Sequence, residues 1–286
     1  MTGNKGAGEP CISVIIPASN EQDLIGRCLE AVLASTGFAD QPVEILVMAN
    51  GCQDDTVAIA EGYTARASAL GWRLDVAELA TPGKLNALNE GDARARADIR
   101  AYLDADVVVS PPLLAEIHTA LARPDAAYAS GRAIIAPAAT AFARAYARFY
   151  ATVPFMQTGV PGCGLFAVNA AGRARWGQFP DIISDDTFVR LSFTPAERIG
   201  VAASYTWPIV EGFGNLVRVR RRQDAGVAEI AARYPALLAN DDKPSLGVAG
   251  VLKRALADPL GFAAYSAVAL AVRLRGRGAT GWERGR

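Results

Sequence analysis

Apolar residues arrive along the first half of the chain in two alternating rhythms. Short unbroken runs at 12–16 (ISVII), 43–49 (VEILVMA) and 99–103 (IRAYL) read as strands buried on both faces. Between them, apolar positions recur every three or four residues. Leu24, Ile25, Cys28, Leu29, Val32 and Leu33 make one such helical stripe. Asn50-Gly51 closes the second run as a turn, and Asp54 or Asp55 can cap a helix over 56–70. A weaker strand at 73–79, a helix at 84–97 and a helix after Pro112 continue the alternation. The pattern predicts an α/β fold with right-handed crossovers and a mostly parallel sheet flanked by helices.

The second half is less regular. Its pattern predicts strands at 126–135 and 203–210 and an aromatic-rich helix at 140–152. A Pro/Gly-rich loop covers 159–164, and a basic run precedes a helix at 225–238. Near the end, thirteen uncharged residues at 260–272 precede Arg273, Arg275 and Arg277. That stretch is too short to span a bilayer, which needs about 20 apolar residues. It suits either an anionic membrane surface or packing on the body or on another subunit. The expected organisation is a flexible leader at 1–10, one domain at 11–240 and a helical tail at 241–286. The opening MTGNKGAGEP lacks the charged-then-apolar layout of a signal peptide, which points to a cytoplasmic protein with reduced thiols.

Composition narrows the function classes. A chain 51% hydrophobic and 20% charged can bury a sizeable core. The formal charge is zero, so no global field invites nucleic acid, and none is expected as a partner. The charge is uneven, however: residues 241–286 carry eight Lys/Arg against four Asp/Glu, which leaves the first 240 residues four negative. The four cysteines show no C-x-x-C spacing, and His118 is the sole histidine. A Cys/His zinc site and a His-activated nucleophile are both excluded on these numbers. His118 is expected to be solvated or to cap its helix.

The chemistry gathers at the predicted strand ends. Asp104-Ala105-Asp106 follows the 99–103 run, at the carboxyl end of a strand, where open α/β sheets bind ligands. Two carboxylates one residue apart suit a hard divalent cation such as Mg²⁺ or Mn²⁺ that also bridges substrate phosphates. They also suit a turn or a helix cap. Lys84 follows Gly83, but the spacing of a phosphate-binding P-loop is missing, since Leu85 stands where Ser or Thr belongs. Ser184 can cap a helix that begins with Asp185-Asp186. Arg218, Arg220, Arg221 and Arg222 form the densest positive cluster; such a run is a solvated face or a fork for phosphate oxygens.

Together these segments resemble the family 2 glycosyltransferases, bacterial polysaccharide-biosynthesis enzymes among them. The resemblance covers roughly residues 12–223. It rests on PASNE at 17–21, NGCQDDT at 50–56, GKLNALN at 83–89, Asp104-Ala105-Asp106, SDDT at 184–187 and RVRRRQ at 218–223, in that order. It implies the GT-A fold, a Rossmann-like mostly parallel sheet, and an inverting hexosyltransferase using a nucleotide-diphosphate sugar of UDP or GDP type. By resemblance, Pro17, Ala18, Ser19, Glu21, Asn50, Lys84 and Asp104 belong to the nucleotide-sugar site, with Arg220, Arg221 and Arg222 clamping the diphosphate. Asp106, with Asp104, would hold Mg²⁺ or Mn²⁺. Asp186 would be the general base, while Gly162, Cys163 and Asp185 would shape the acceptor side beside Tyr150, Phe155, Phe166 and Trp176. The acceptor implied is a glycan or lipid-linked glycan, reached by peripheral contact with the inner face of the cytoplasmic membrane through the C-terminal tail.

Two departures from the family pattern stand out. Ala49 occupies the position where many relatives carry a base-reading Asp, and Asp185 replaces the usual Glu. A nucleotidyltransferase acting on a sugar phosphate, or a non-catalytic nucleotide-sugar scaffold, would share parts of this cradle. The first lacks its early glycine-rich basic loop here, and the second has no need of Asp104, Asp106 and Asp186 together.

Overall fold

The computed structural model describes residues 9–39 and 41–274. The chain runs β1 (Ile12–Ala18), α1 (Ile25–Leu33), β2 (Val43–Asn50), α2 (Thr56–Glu61), α3 (Thr64–Ala69), β3 (Arg73–Leu79) and α4 (Lys84–Arg94). Next come β4 (Arg100–Leu103), β5 (Val108–Val109), α5 (Leu113–Leu121), β6 (Tyr128–Ile135), α6 (Ala141–Tyr150), α7 (Pro154–Gln157), β7 (Leu165–Val168) and α8 (Ala170–Arg173). It closes with α9 (Asp185–Leu191), β8 (Arg198–Trp207), α10 (Phe213–Arg233), α11 (Gly247–Ala257) and α12 (Pro259–Leu274).

The strands form one mixed sheet in the order β3-β2-β1-β4-β7-β6-β8-β5. The first four pair in parallel, as the strand–helix alternation requires. Pairing turns antiparallel at β7, and also between β6 and β7 and between β5 and β8. Every residue of β2 is buried, which explains its unbroken apolar run. α1 buries the stripe Ile25, Cys28, Leu29, Val32 and Leu33. α4 packs on β1 so closely that a Cβ at Gly91 would lie 2.4 Å from Ile15 Cγ2.

Several elements differ from expectation, each for a local reason. β1 runs through Pro17 instead of stopping before it. Ser13 N donates to Ile99 O, so strand alternation aims Pro17 at the β4 side, beyond the last β1–β4 pair, Ile15 with Tyr102. The helix expected over 56–70 divides at Gly62-Tyr63 into α2 and α3. The basic run is not a separate segment but lies inside α10, whose interior has no proline. β8 begins at Arg198, five residues earlier than its apolar pattern suggests, β7 lies where no strand is expected, and α11 falls within the expected helical tail. His118 is half-buried, its ring 6.4 Å from Phe38, and burial lowers its pKa.

Backbone contacts group the chain into two compact units. The first gathers residues up to Arg132, with Gly162–Pro180 and Ile199–Thr206; the second holds Ala133–Pro161, Asp181–Arg198 and the chain from Trp207 onward. α11 and α12 therefore belong with α6, α9 and α10, and do not stand apart after residue 240. In that unit Tyr146, Leu216, Val217, Ala264, Val268 and Val272 form the core of α6, α10 and α12. The leader residues 1–8 and the arginines Arg275 and Arg277 lie outside the described residues.

Candidate functional site

Four parallel strands open onto one edge of the first unit, and their loops are tied together by backbone-directed hydrogen bonds. Asn20, with φ 49°, turns its Oδ1 to accept from Gln53 N at 2.7 Å. Glu21 N donates to Thr56 Oγ1 at 2.7 Å, and Gln22 N to Asp54 Oδ2 at 3.2 Å. Thr56 N and its hydroxyl donate to Asp54 Oδ1 in an Asx turn, while Asp55 takes the N-cap position of α2 without a side-chain capping bond. Desolvation pushes the Asp54 carboxyl up, but the Thr56 hydroxyl and these amides outweigh it and hold its pKa low.

Asn50 is the hub between the second and third loops. It is 4% exposed; its Nδ2 donates to Ala18 O at 2.9 Å, and its Oδ1 accepts from Gly83 N at 3.0 Å. Its amide is thus engaged by backbone and ties Ala18 to Gly83. Gly83, at φ 132°, turns the chain so that Lys84 starts α4. Lys84 Nζ then sits 3.0 Å from Asp104 Oδ1, both half-buried.

Asp104 is fixed by its backbone: its N donates to Gly164 O at 2.9 Å, and its O accepts from Val107 N at 3.1 Å and from Cys28 Sγ at 3.8 Å. Burial, then the carboxylates of Asp106, Asp104 and Glu21, push the Cys28 thiol far up. Glu21, Asp104 and Asp106 are each half-buried in the strand-end loops of this unit. Pro17 and Ser19 are half-buried beside them, and Ala18 is buried.

The residues fit a hard divalent cation. Asp104 and Asp106 offer carboxylate oxygens, and Asp104 already holds a cationic ammonium. Among the described residues no group of three or more His, Cys, Asp or Glu forms a metal cluster. A bound Mg²⁺ or Mn²⁺ would therefore take its remaining ligands from phosphate oxygens and water.

In the second unit, α9 begins at Asp185-Asp186. Asp185 is buried; Asp186 is half-buried, its Oδ1 accepting from Thr187 N at 2.6 Å. Ser184 occupies the N-cap, but its side chain makes no capping bond. It sits instead against α10, where a Cβ at Gly226 would approach Ser184 Oγ to 2.1 Å. Glu229 accepts from Ile183 N at 2.9 Å and pairs with Arg233 at 2.8 Å, and Arg233 also donates to Asp181 O. α10 is thus the buttress of the Asp185-Asp186 turn. Gly226, Glu229 and Arg233 escaped the sequence reading because an i, i+4 ion pair on a helix looks like a solvated surface.

Several expected site residues are engaged within the protein. Arg220 turns to Asp224 at 2.9 Å and to the Tyr265 hydroxyl at 2.8 Å, joining α10 to α12. Arg221 and Arg222 are half-buried on the same helix. Gly162 lies under Tyr128, whose Oη would be 1.7 Å from an added Cβ, and Cys163 is buried with its carbonyl bonded to the Tyr205 hydroxyl at 2.7 Å. Cys163 and Asp185 are both buried.

Comparisons with known proteins converge on this arrangement. The chain is 35% identical over 97 residues to glycosyltransferase AglE of Haloferax volcanii, covering 34% of this chain and 31% of that protein. It is 33% identical over 116 residues to the dolichyl-phosphate beta-glucosyltransferase of Drosophila melanogaster, covering 38% of this chain and 35% of that one. The matches thus span about a third of these curated relatives. Among solved structures, the mannosyltransferase PcManGT of Pyrobaculum calidifontis, in complex with GDP-Man and Mn²⁺, superposes with a TM-score of 0.60 at 21% identity. That likeness covers 94% of this chain and 76% of that one. TarS 1–349 of S. aureus, in complex with UDP, gives 0.52 at 14% identity over 93% and 92% of the two chains. These likenesses establish a shared GT-A fold. The model of glycosyl transferase family 2 matches residues 13–173, more than half the chain, and the protein belongs to that family.

Proposed function

We propose that the protein is an inverting hexosyltransferase that moves a sugar from a nucleoside-diphosphate donor to a glycan or lipid-linked glycan acceptor at the cytoplasmic face of a membrane. The observation that carries this reading is the Lys84–Asp104 pair at 3.0 Å, set among the carboxylates that act on Cys28. A cation-ready carboxylate pair beside a lysine suits a diphosphate whose charge grows as it leaves. The structures of PcManGT with GDP-Man and Mn²⁺ and of TarS with UDP support a donor of this class.

In the proposed reaction the loops after the parallel strands hold the donor, and Asp186 at the start of α9 is the base. Asp104 and Asp106 would hold Mg²⁺ or Mn²⁺, which would supply Lewis-acid stabilisation of the diphosphate. The Lys84 ammonium donates to a phosphate oxygen as the bond to the anomeric carbon breaks and the diphosphate departs with the electron pair. The acceptor hydroxyl attacks from the opposite face, and its proton passes to the Asp186 carboxylate. Such base catalysis contributes about 10² to 10⁴-fold. Attack from the opposite face inverts the anomeric configuration.

The test is turnover of UDP- and GDP-sugars by the purified chain and by Asp186→Asn. Transfer should fall by about 10² to 10⁴-fold while nucleotide affinity stays within about twofold. Full activity in Asp186→Asn would remove the base assignment. Release of pyrophosphate from a nucleoside triphosphate and a sugar phosphate would mark a nucleotidyltransferase instead.

A further inference from the structure

The exposed side of the two C-terminal helices has the wrong chemistry for water. α11 has no buried residue, yet Val248, Leu252 and Leu256 are 78, 57 and 80% exposed, with Val251 beside them. At about 100° per residue these four share one arc, and Lys253 and Arg254 fall on its two margins. No acidic residue lies on α11. α12 behaves alike: Gly261, Ala264, Val268 and Val272 are buried on one face, while the opposite face presents Leu260, Ala263, Ala267, Leu270 and Leu274. Its sole charge is Arg273. An exposed helix face in a water-soluble domain is ordinarily polar, and contiguous apolar patches mark interaction sites.

We infer that α11 and the outer face of α12 form a monotopic docking surface for an anionic lipid bilayer. Charge decides the occupant. The apolar arc of α11 is edged by cations on both sides, which is the layout of a helix lying in a lipid interface. The acid between the helices, Asp258, is already engaged by Arg148 at 3.2 Å and by Gly261 N at 2.9 Å. After Arg273 the sequence adds four arginines against Glu283 alone. Two copies meeting on this face would bring like charges together, whereas anionic headgroups would complement them. Among the described residues no helix is long and apolar enough to cross a membrane, so the contact lies on the surface. This gives residues to the membrane contact proposed above and rests on the glycosyl-transfer reading only for its use.

The experiment is co-sedimentation of the full chain with vesicles of phosphatidylcholine alone or mixed with phosphatidylglycerol. UDP and GDP binding is measured on the same preparations. The full chain should partition onto the mixed vesicles far more than onto phosphatidylcholine. The double variant Leu252→Glu, Leu256→Glu should lose about tenfold or more of that partition while keeping its melting temperature and nucleotide affinity. Lys253→Glu should weaken partition onto the anionic vesicles only. A full chain that ignores the mixed vesicles, or a double variant that binds them equally, overturns the inference. So does a concentration-dependent dimer that the double variant abolishes, since the face would then join two copies. A full chain that binds a nucleotide but not the mixed vesicles overturns the docking surface alone, and one that binds the vesicles but neither nucleotide overturns the donor reading alone.

Discussion

Asn50 offers the sharpest structural prediction, because a single buried amide bridges two loops of the donor side. Replacing it with Ala removes the bond to Ala18 O and the bond from Gly83 N. Leaving a buried polar group unpaired costs about 1–3 kcal/mol, so two give about 2–6 kcal/mol. Asn50→Asp separates the two halves of the amide. Its carboxylate still accepts from Gly83 N but opposes the oxygens of Ala18 and Met48, which Nδ2 now faces at 2.9 and 3.4 Å. Only a protonated carboxyl can donate there, so burial raises its folded pKa above the unfolded value. Stability of that form is present below the unfolded pKa, about 3.9, and is lost as pH rises through the folded pKa. Urea unfolding followed by tryptophan fluorescence between pH 4 and 7 reads this directly. Asn50→Asp should lose stability with rising pH relative to the parent chain, whereas Asn50→Ala should be lower by a constant amount. Both should weaken nucleotide binding, since Gly83 sets the start of α4 and thus Lys84. An Asn50→Asp chain as stable as the parent at every pH would refute the reasoning.

Other expectations follow from the second unit. Asp242 pairs with Arg198 at 2.8 Å and with Arg190, whose side chains are 1 and 2% exposed. Burial pushes the Asp242 carboxyl up, but the two guanidiniums outweigh it and hold its pKa below the ordinary value. Its contribution is therefore present above the unfolded pKa and lost as pH falls through the folded one. Asp242→Asn should cost about 3 kcal/mol at pH 7 and flatten the acid limb of the stability curve; parallel curves would contradict this. Gly226→Ala must displace Ser184 and with it the start of α9. Transfer should fall by about tenfold or more with nucleotide affinity unchanged, and an unaffected turnover rate would show that the α10 buttress does not position Asp186.

Much of the parallel half was legible because its signals are local. The fully buried β2 and the stripe on α1 declare themselves in four to nine consecutive residues. β1 hid its last two residues because Pro17 is tolerated only through the side to which its missing N–H would point, a fact of pairing. The division of α2 from α3 and the unity of α10 were equally hidden, since Gly62 ends a helix whereas Gly226 is required inside one by Ser184. The strand-end motifs, by their order and spacing, pointed to the family whose model matches residues 13–173. They did not distinguish Asn50, whose amide serves backbone, from residues that face a ligand. Arg220 had the composition of a phosphate clamp, but Tyr265, forty-five positions later, takes its guanidinium. The helical tail was expected, but the exposed apolar arc of α11 was not legible because exposure is a fact of packing.

The central claim is tested most directly by calorimetric titration of the purified chain with UDP and with GDP, each with and without Mn²⁺, alongside Asp106→Asn. The account predicts that one of the two diphosphates binds, that Mn²⁺ strengthens it at least tenfold or so, and that Asp106→Asn removes the metal-dependent part. Absence of binding by a well-folded chain, or metal-independent binding that Asp106→Asn leaves untouched, would contradict it.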